Sequence, residues 1–205
     1  MGFAVGATTT GSGHVMIDPA WVLLGAALGL AGSVRYAAAT LRGTARPNLA
    51  TWSLWAAAPL IGFLAQLDAG VGLPAVLTLG AGTGPLIVVV AGMTTRHARV
   101  RLGAFDVVCA VVAGIALVVW LALDAAPLAV LLAVAADAAA ALPTVRKAWR
   151  DPGSENVLFY VLVGIGATIT LLTLTTWNPS DWAFAVYMLT LCLTLTGIVT
   201  LRRRA

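Results

Sequence analysis

Seven apolar runs, joined by short polar connections, leave this chain few ways to fold. They cover residues 19–41, 49–67, 73–94, 102–123, 126–142, 157–176 and 182–201. A helix needs about 20 apolar residues to cross the roughly 30 Å hydrocarbon layer of a bilayer. Seven such runs in 205 residues leave almost nothing from which to build a polar surface. Only 10% of the residues are charged, against about 25% in an ordinary soluble domain. The expected class is therefore an all-α membrane protein with seven transmembrane helices. The fifth run is short by hydropathy. It can continue through Pro143 toward Trp149, because Arg146 and Lys147 can snorkel to the interface.

The charges orient these spans. Arg35, Arg42 and Arg46 end the first span and its loop, and Arg96, Arg99 and Arg101 lie between the third and fourth. Arg146, Lys147 and Arg150 lie between the fifth and sixth, and Arg202, Arg203 and Arg204 end the chain. With seven spans all 12 basic residues fall on one side, while Asp18, Asp68, Asp124 and Asp181 fall on the other. The positive-inside rule then puts the N-terminus outside and the C-terminus inside, in the cell inner (plasma) membrane. Trp21, Trp177 and Trp182 fall at the outer interface, where amphipathic rings prefer to lie. Residues 1–18 are Gly- and Thr-rich without a basic residue and read as a flexible extracytoplasmic tail, not a signal peptide.

A shift of 108 residues superposes landmarks of the two halves: Pro19 on Pro127, Arg42 on Arg150, Asn48 on Asn156, Trp52 on Tyr160, Arg96 on Arg204. Residues 19–101 then form a first three-helix repeat with its following loop. Residues 102–125 form a linker helix, and residues 126–205 a second repeat with a basic tail. An odd linker helix gives both halves the same orientation, so the arrangement is a 3+1+3 parallel internal repeat.

The second repeat carries the segment with most chemistry. Asp137 lies inside an apolar run, Pro143 follows it, and Arg146, Lys147 and Arg150 close the stretch. A carboxylate in hydrocarbon is costly unless it is paired, hydrated or protonated. Asp137 is thus a proton or ion coupling candidate, or else a structural group, either paired with Arg35 or Arg146 or held in a helix–helix hydrogen bond. Pro143 removes a helix hydrogen bond and is a hinge candidate, or a plain packing kink. Asp106, one turn into the fourth span, suits a helix N-terminus. Asn48 and Asn156 precede spans two and six, as N-caps or as cavity-lining residues. Trp52, Trp55 and Gln66 share a face of span two and are further cavity-lining candidates, although Trp near an interface is often an anchor. The glycines of GALGLAGS (Gly25, Gly29, Gly32) permit close helix packing. The threonines of span six can bond back to their own helix. Cys109 and Cys192 sit in apolar runs and read as packing residues.

Two local patterns carry a resemblance. The first repeat reads Arg35-Tyr36, Leu41-Arg42-Gly43, Arg46-Pro47-Asn48, then Trp52 and Trp55. The second reads Asp137, Leu142-Pro143-Thr144, Arg146-Lys147, Pro152 and Ser154-Glu155-Asn156. These segments resemble a widespread group of uncharacterised bacterial seven-helix membrane proteins. The three-plus-one-plus-three plan resembles the PQ-loop/SWEET superfamily. Thr144 stands where that superfamily's glutamine would be in the second repeat, and Arg35-Tyr36 where Pro-Gln would be in the first. The resemblance implies a small-solute transporter or facilitator working by alternating access. The alternative is a non-transporting membrane scaffold or partner-binding subunit. Expected partners are the lipid bilayer, a small polar solute and further copies of the chain. Nucleic acid, metal and cofactor are not expected. No Walker loop, HExxH or paired catalytic carboxylates appear in the sequence, so an enzyme is not expected either.

Overall fold

The computed structural model describes residues 16–45, 47, 49–95 and 126–203, with scattered positions between 104 and 122. Six helices are described in full: α1 (Trp21–Leu41), α2 (Leu49–Asp68), α3 (Ala75–Met93), α4 (Ala126–Arg150), α5 (Val157–Leu172) and α6 (Pro179–Arg202). A 3-10 turn, Pro152–Ser154, joins α4 to α5. Among the described residues there is no strand. The expected fourth span falls on residues of which only scattered positions are described, and those are helical. Asp106, Cys109, Asn48, both histidines and most of the expected N-terminal tail lie outside the described residues.

Five helices (α1, α2, α3, α4 from Pro127, and α6) are long and apolar enough to cross a membrane. The sixth expected span is shorter than its hydropathy suggested. It ends at Leu172, not Thr176, and has 16 residues, about 24 Å at 1.5 Å per residue. Two local features stop it. The Thr173 N–H donates back to the Ile169 and Thr170 carbonyls, both at 3.1 Å, closing the last turn. The next helix then begins early, at Pro179, through a capping box in which Asn178 and Asp181 satisfy each other's backbone donors. The Asp181 carboxylate also accepts from the Thr176 hydroxyl at 2.6 Å, which ties the incoming chain to the cap. The fifth expected span is longer than hydropathy alone suggested: α4 runs through Pro143 to Arg150 as one helix.

The helices close a ring in the order α1–α3–α2–α4–α6–α5, each packed on its two neighbours. Within each triplet the third helix lies between the first two. Ala37 of α1, Trp52 and Trp55 of α2, Val88 and Ala91 of α3, and Ala140 of α4 share one core cluster. The C-terminal halves of α3 and α4 therefore lie together, and the two helices run in the same direction. Val112, one of the described positions between them, packs against Ala58 and Ala136. Side chains such as Leu23, Val34, Leu64, Val90 and Leu193 are exposed on the outside of the ring, an apolar exterior that suits lipid.

The glycine stripe of α1 packs against α5, as the close-packing reading expects. A Cβ on Gly25 would stand 2.8 Å from Gly166 Cα, and one on Gly32 would stand 3.1 Å from the Phe159 ring. At Gly29 the nearest atom would be a Val163 methyl at 3.7 Å, an ordinary contact. The threonines of α5 turn inward on their own helix: Thr168 donates to Gly164 O at 2.9 Å and Thr170 to Gly166 O at 3.0 Å.

Candidate functional site

Asp137 sits in the fourth turn of α4 and is 2% exposed. Its partner is neither Arg35 nor Arg146, both of which are exposed. The Tyr187 hydroxyl of α6 donates to Asp137 Oδ2 at 2.5 Å, and Oδ1 has no partner. Of the structural alternatives, the ion pair is not found among the described residues, while the helix–helix hydrogen bond is present, and the carboxylate keeps one acceptor unmet by the described residues.

Asp137 lines a central cavity of about 60 Å³, together with Trp55, Phe159, Tyr160, Met188 and Gly29. Trp55 is 8% exposed and its indole Nε1 has no partner either. Two unmet polar atoms of opposite hydrogen-bonding sense therefore belong to residues lining one apolar chamber. Native interiors leave few such groups unpaired. At about 30 Å³ of liquid volume each, on the order of two waters fill such a space.

The chamber continues toward the basic end of the bundle. Trp55 and Tyr160 also line a pocket of about 130 Å³, shared with Tyr36, Trp52, Pro143 and Lys147. Tyr36, Lys147 and Glu155 in turn line a surface groove of about 750 Å³, which includes Asn156 and Arg203. An aromatic cluster frames this route. Tyr36 and Trp52 lie 4.6 Å apart between ring centroids, Trp52 and Trp55 5.5 Å, and Phe159 and Tyr160 5.3 Å. Glu155 is 8% exposed and organises the route's outer part. It pairs with Lys147 Nζ at 3.2 Å and accepts from the Tyr160 hydroxyl at 2.6 Å. Arg203 Nη2 donates to its main-chain carbonyl at 2.8 Å.

At the opposite end the described helices close on one another. Gln66 is 1% exposed and its Nε2 donates to Ser180 O at 2.8 Å, joining α2 to the first turn of α6. Ala65, Ala129 and Val130 pack beside it, and Phe184 is buried in the neighbouring cluster.

The sequence candidates therefore separate. Asp137 and Trp55 meet at the central cavity, while Trp52 and Pro143 line the pocket nearer the basic end. Gln66 does not line the cavity. It shares a face with Trp52 but lies 14 residues further on, about 21 Å along the axis, where its amide serves the closed end. Asn156 takes the N-cap position of α5 but makes no side-chain cap bond; it lines the surface groove instead. Asn48 lies outside the described residues. Tyr187, Tyr160 and Glu155 were missed as site residues. The signals available were the alignment of Tyr160 with Trp52 and the place of Glu155 in the second-repeat pattern.

Gln66 supplies a test of which role it plays. Its Oε1 is buried without a partner, so a methionine of similar length loses one hydrogen bond and also removes an unmet acceptor. The opposing terms nearly cancel. Gln66→Met is expected to change stability by about 1 kcal/mol or less, read as a melting shift of a few degrees in detergent micelles.

Among the described residues, no three His, Cys, Asp or Glu side chains gather as a metal site. Comparison with family models, with curated proteins and with solved structures finds no match for this chain.

Proposed function

We propose that this chain is a seven-span protein of the cell inner membrane that carries a small polar solute by alternating access between two three-helix bundles. The observation that carries the reading is a buried acid in a central cavity that shares lining residues with pockets on the basic side. Cavities that share lining residues lead from Asp137 through Trp55 and Tyr160 to the groove beside Lys147 and Glu155. At the other end the described helices are tied together by Gln66 and Ser180. A carrier resting open to one side has this asymmetry; a passive scaffold has no use for it.

Other features support the architecture. Exchanging α1, α2 and α3 for α4, α5 and α6 leaves the set of neighbouring helix pairs in the ring unchanged, as a parallel repeat requires. The common direction of α3 and α4 calls for one further span between them. In this reading Asp137 is the coupling group and Pro143 the inner hinge. Arg42, Lys147 and Arg202 face the cytoplasm, and no catalytic step is assigned. This reading takes the architecture to be of the PQ-loop/SWEET type. The scaffold reading takes its support from the small size of the central cavity, about 60 Å³.

Uptake into proteoliposomes, measured against a panel of small polar solutes with and without an imposed pH gradient, tests the proposal. Saturable uptake of at least one solute is expected, with Asp137→Asn reducing it by tenfold or more. No uptake of any solute by folded protein would leave the scaffold reading in possession. Unchanged uptake by Asp137→Asn would remove Asp137 from the coupling role.

A further inference from the structure

We propose that the central cavity binds a compact protonated amine, its ammonium group held by Asp137 and its carbon side packed on the aromatic cluster. The inference rests on the carrier reading for its purpose, but its chemistry comes from the cavity alone.

Among the described residues, Asp137 is the only carboxylate lining this chamber, and no Lys, Arg or His side chain lines it. Its Oδ2 accepts from Tyr187, and its Oδ1 is buried without a partner. A carboxylate left this way in an apolar surrounding is stabilised most by a cation that also donates hydrogen bonds. An ammonium group does both. Trp55, Phe159 and Tyr160 line the same space, and aromatic rings attract cations through their quadrupole, most strongly once water is stripped away.

Other ligand classes fit less well. An anion meets the Asp137 charge without compensation. A neutral polyol leaves that charge unbalanced. A dehydrated metal ion needs about six oxygen ligands. Among the described residues the side chains here offer oxygens only from Asp137, Ser33 and Tyr160, too few for that shell.

Size narrows the class further. A volume of about 60 Å³ admits an ammonium group with one or two carbons. A longer tail has to pass Trp55 and Tyr160 into the adjoining pocket of about 130 Å³. The unpaired Trp55 Nε1 is a donor, so it needs an acceptor that the ammonium group cannot provide. A hydroxyl on the second carbon supplies one. Short amino alcohols are therefore favoured over simple alkylamines.

Titration of the purified full-length protein in nanodiscs tests this, with tryptophan fluorescence or heat as the readout. The probes are methylammonium, ethanolamine, ethylene glycol and acetate. Saturable binding of both amines is expected, ethanolamine several-fold tighter, with neither ethylene glycol nor acetate binding. Asp137→Asn is expected to weaken both amines at least tenfold. Trp55→Phe, which keeps a ring and loses the N–H, is expected to erase most of the ethanolamine advantage. Wild-type protein provides an arm that needs no variant: ammonium chloride must displace ethanolamine, and ethylene glycol must not. Ethylene glycol binding as tightly as the amines, or amine binding unaltered in folded Asp137→Asn, overturns the proposal. Amine binding without liposome uptake keeps the amine site and removes the carrier function. Saturable uptake of a neutral solute without amine binding does the reverse.

Discussion

Gly166→Leu is expected to prevent the bundle from closing. A Cβ on Gly166 would lie 2.7 Å from Gly25 O and 3.0 Å from Gly25 C, and the reciprocal Cβ on Gly25 would meet Gly166 Cα at 2.8 Å. Both obstacles are backbone, so no side chain can rotate away. The α1–α5 contact also joins the first triplet to the second, and separating these helices opens the ring. Membrane helices associate mainly through close packing of this kind, because lipid is as apolar as their side chains. Even Gly166→Ala overpacks the crossing, at a cost of about 1–3 kcal/mol; leucine exceeds what a shift of the two helices can absorb. The α1 stripe should respond in graded fashion: alanine is hardest to accept at Gly25, intermediate at Gly32 and nearly neutral at Gly29, following the contacts each Cβ would meet. Gly197 has nothing within 4 Å of its Cβ position. Gly197→Ala should be neutral or stabilising by about 0.5–1 kcal/mol, since alanine loses less backbone entropy in a helix. Fluorescence-detected gel filtration and thermal unfolding in micelles read all six variants. Gly166→Leu eluting as wild type and melting within a few degrees of it would mean that this crossing does not hold the triplets together.

Much of this arrangement was legible in the sequence because the bilayer simplifies the problem. Span lengths follow from hydrocarbon thickness, which is why five helices fall close to their expected places. The short α5 escaped because hydropathy cannot see a turn. Thr173 to Thr176 are compatible with an apolar helix, yet Asn178, Pro179 and Asp181 form a cap that starts α6 early. The site was harder to read. These helices are apolar nearly all round, so no amphipathic stripe indicates which face looks inward. Asp137 stood out because a carboxylate is costly anywhere in hydrocarbon. Tyr187, 50 residues later in a different helix, did not, since a tyrosine is unremarkable in a membrane span. Glu155 entered only as part of the Ser154-Glu155-Asn156 segment. Its burial depends on Lys147, Tyr160 and Arg203 converging from three segments, and no spacing rule brings those together. Gln66 shows the remaining weakness of periodicity: it assigns a face but not a depth, and depth is what separates a cavity wall from the closed end.

The convergence on Glu155 leads to the second large effect. Glu155→Ala removes the Lys147 ion pair and leaves the Tyr160 hydroxyl, on a residue only 5% exposed, without its acceptor. The two losses differ in weight. The Lys147 side chain is 50% exposed, so its charge stays hydrated, and its share is about 1 kcal/mol or less. The orphaned phenol cannot reach water as easily, and a buried donor left unmet costs about 1–3 kcal/mol. A double-mutant cycle separates them. Tyr160→Phe deletes the donor, so Glu155→Ala should cost less in that background, by about 1–2 kcal/mol, than in wild type. Lys147→Met should produce a smaller coupling with Glu155→Ala. Thermal or denaturant unfolding in micelles gives the four corners of each cycle. Tyr160 also lines both the central cavity and the pocket leading out of it. Release of its hydroxyl should therefore loosen the route to Asp137 as well as the fold, and Glu155→Ala should speed alkylation of a cysteine placed at Gly29 by a small water-soluble thiol reagent. Additive cycles together with unchanged alkylation would reduce Glu155 to an ordinary surface acid. A coupling dominated by Lys147 would instead make the charge pair, and not the buried phenol, the element that holds the basic end in place.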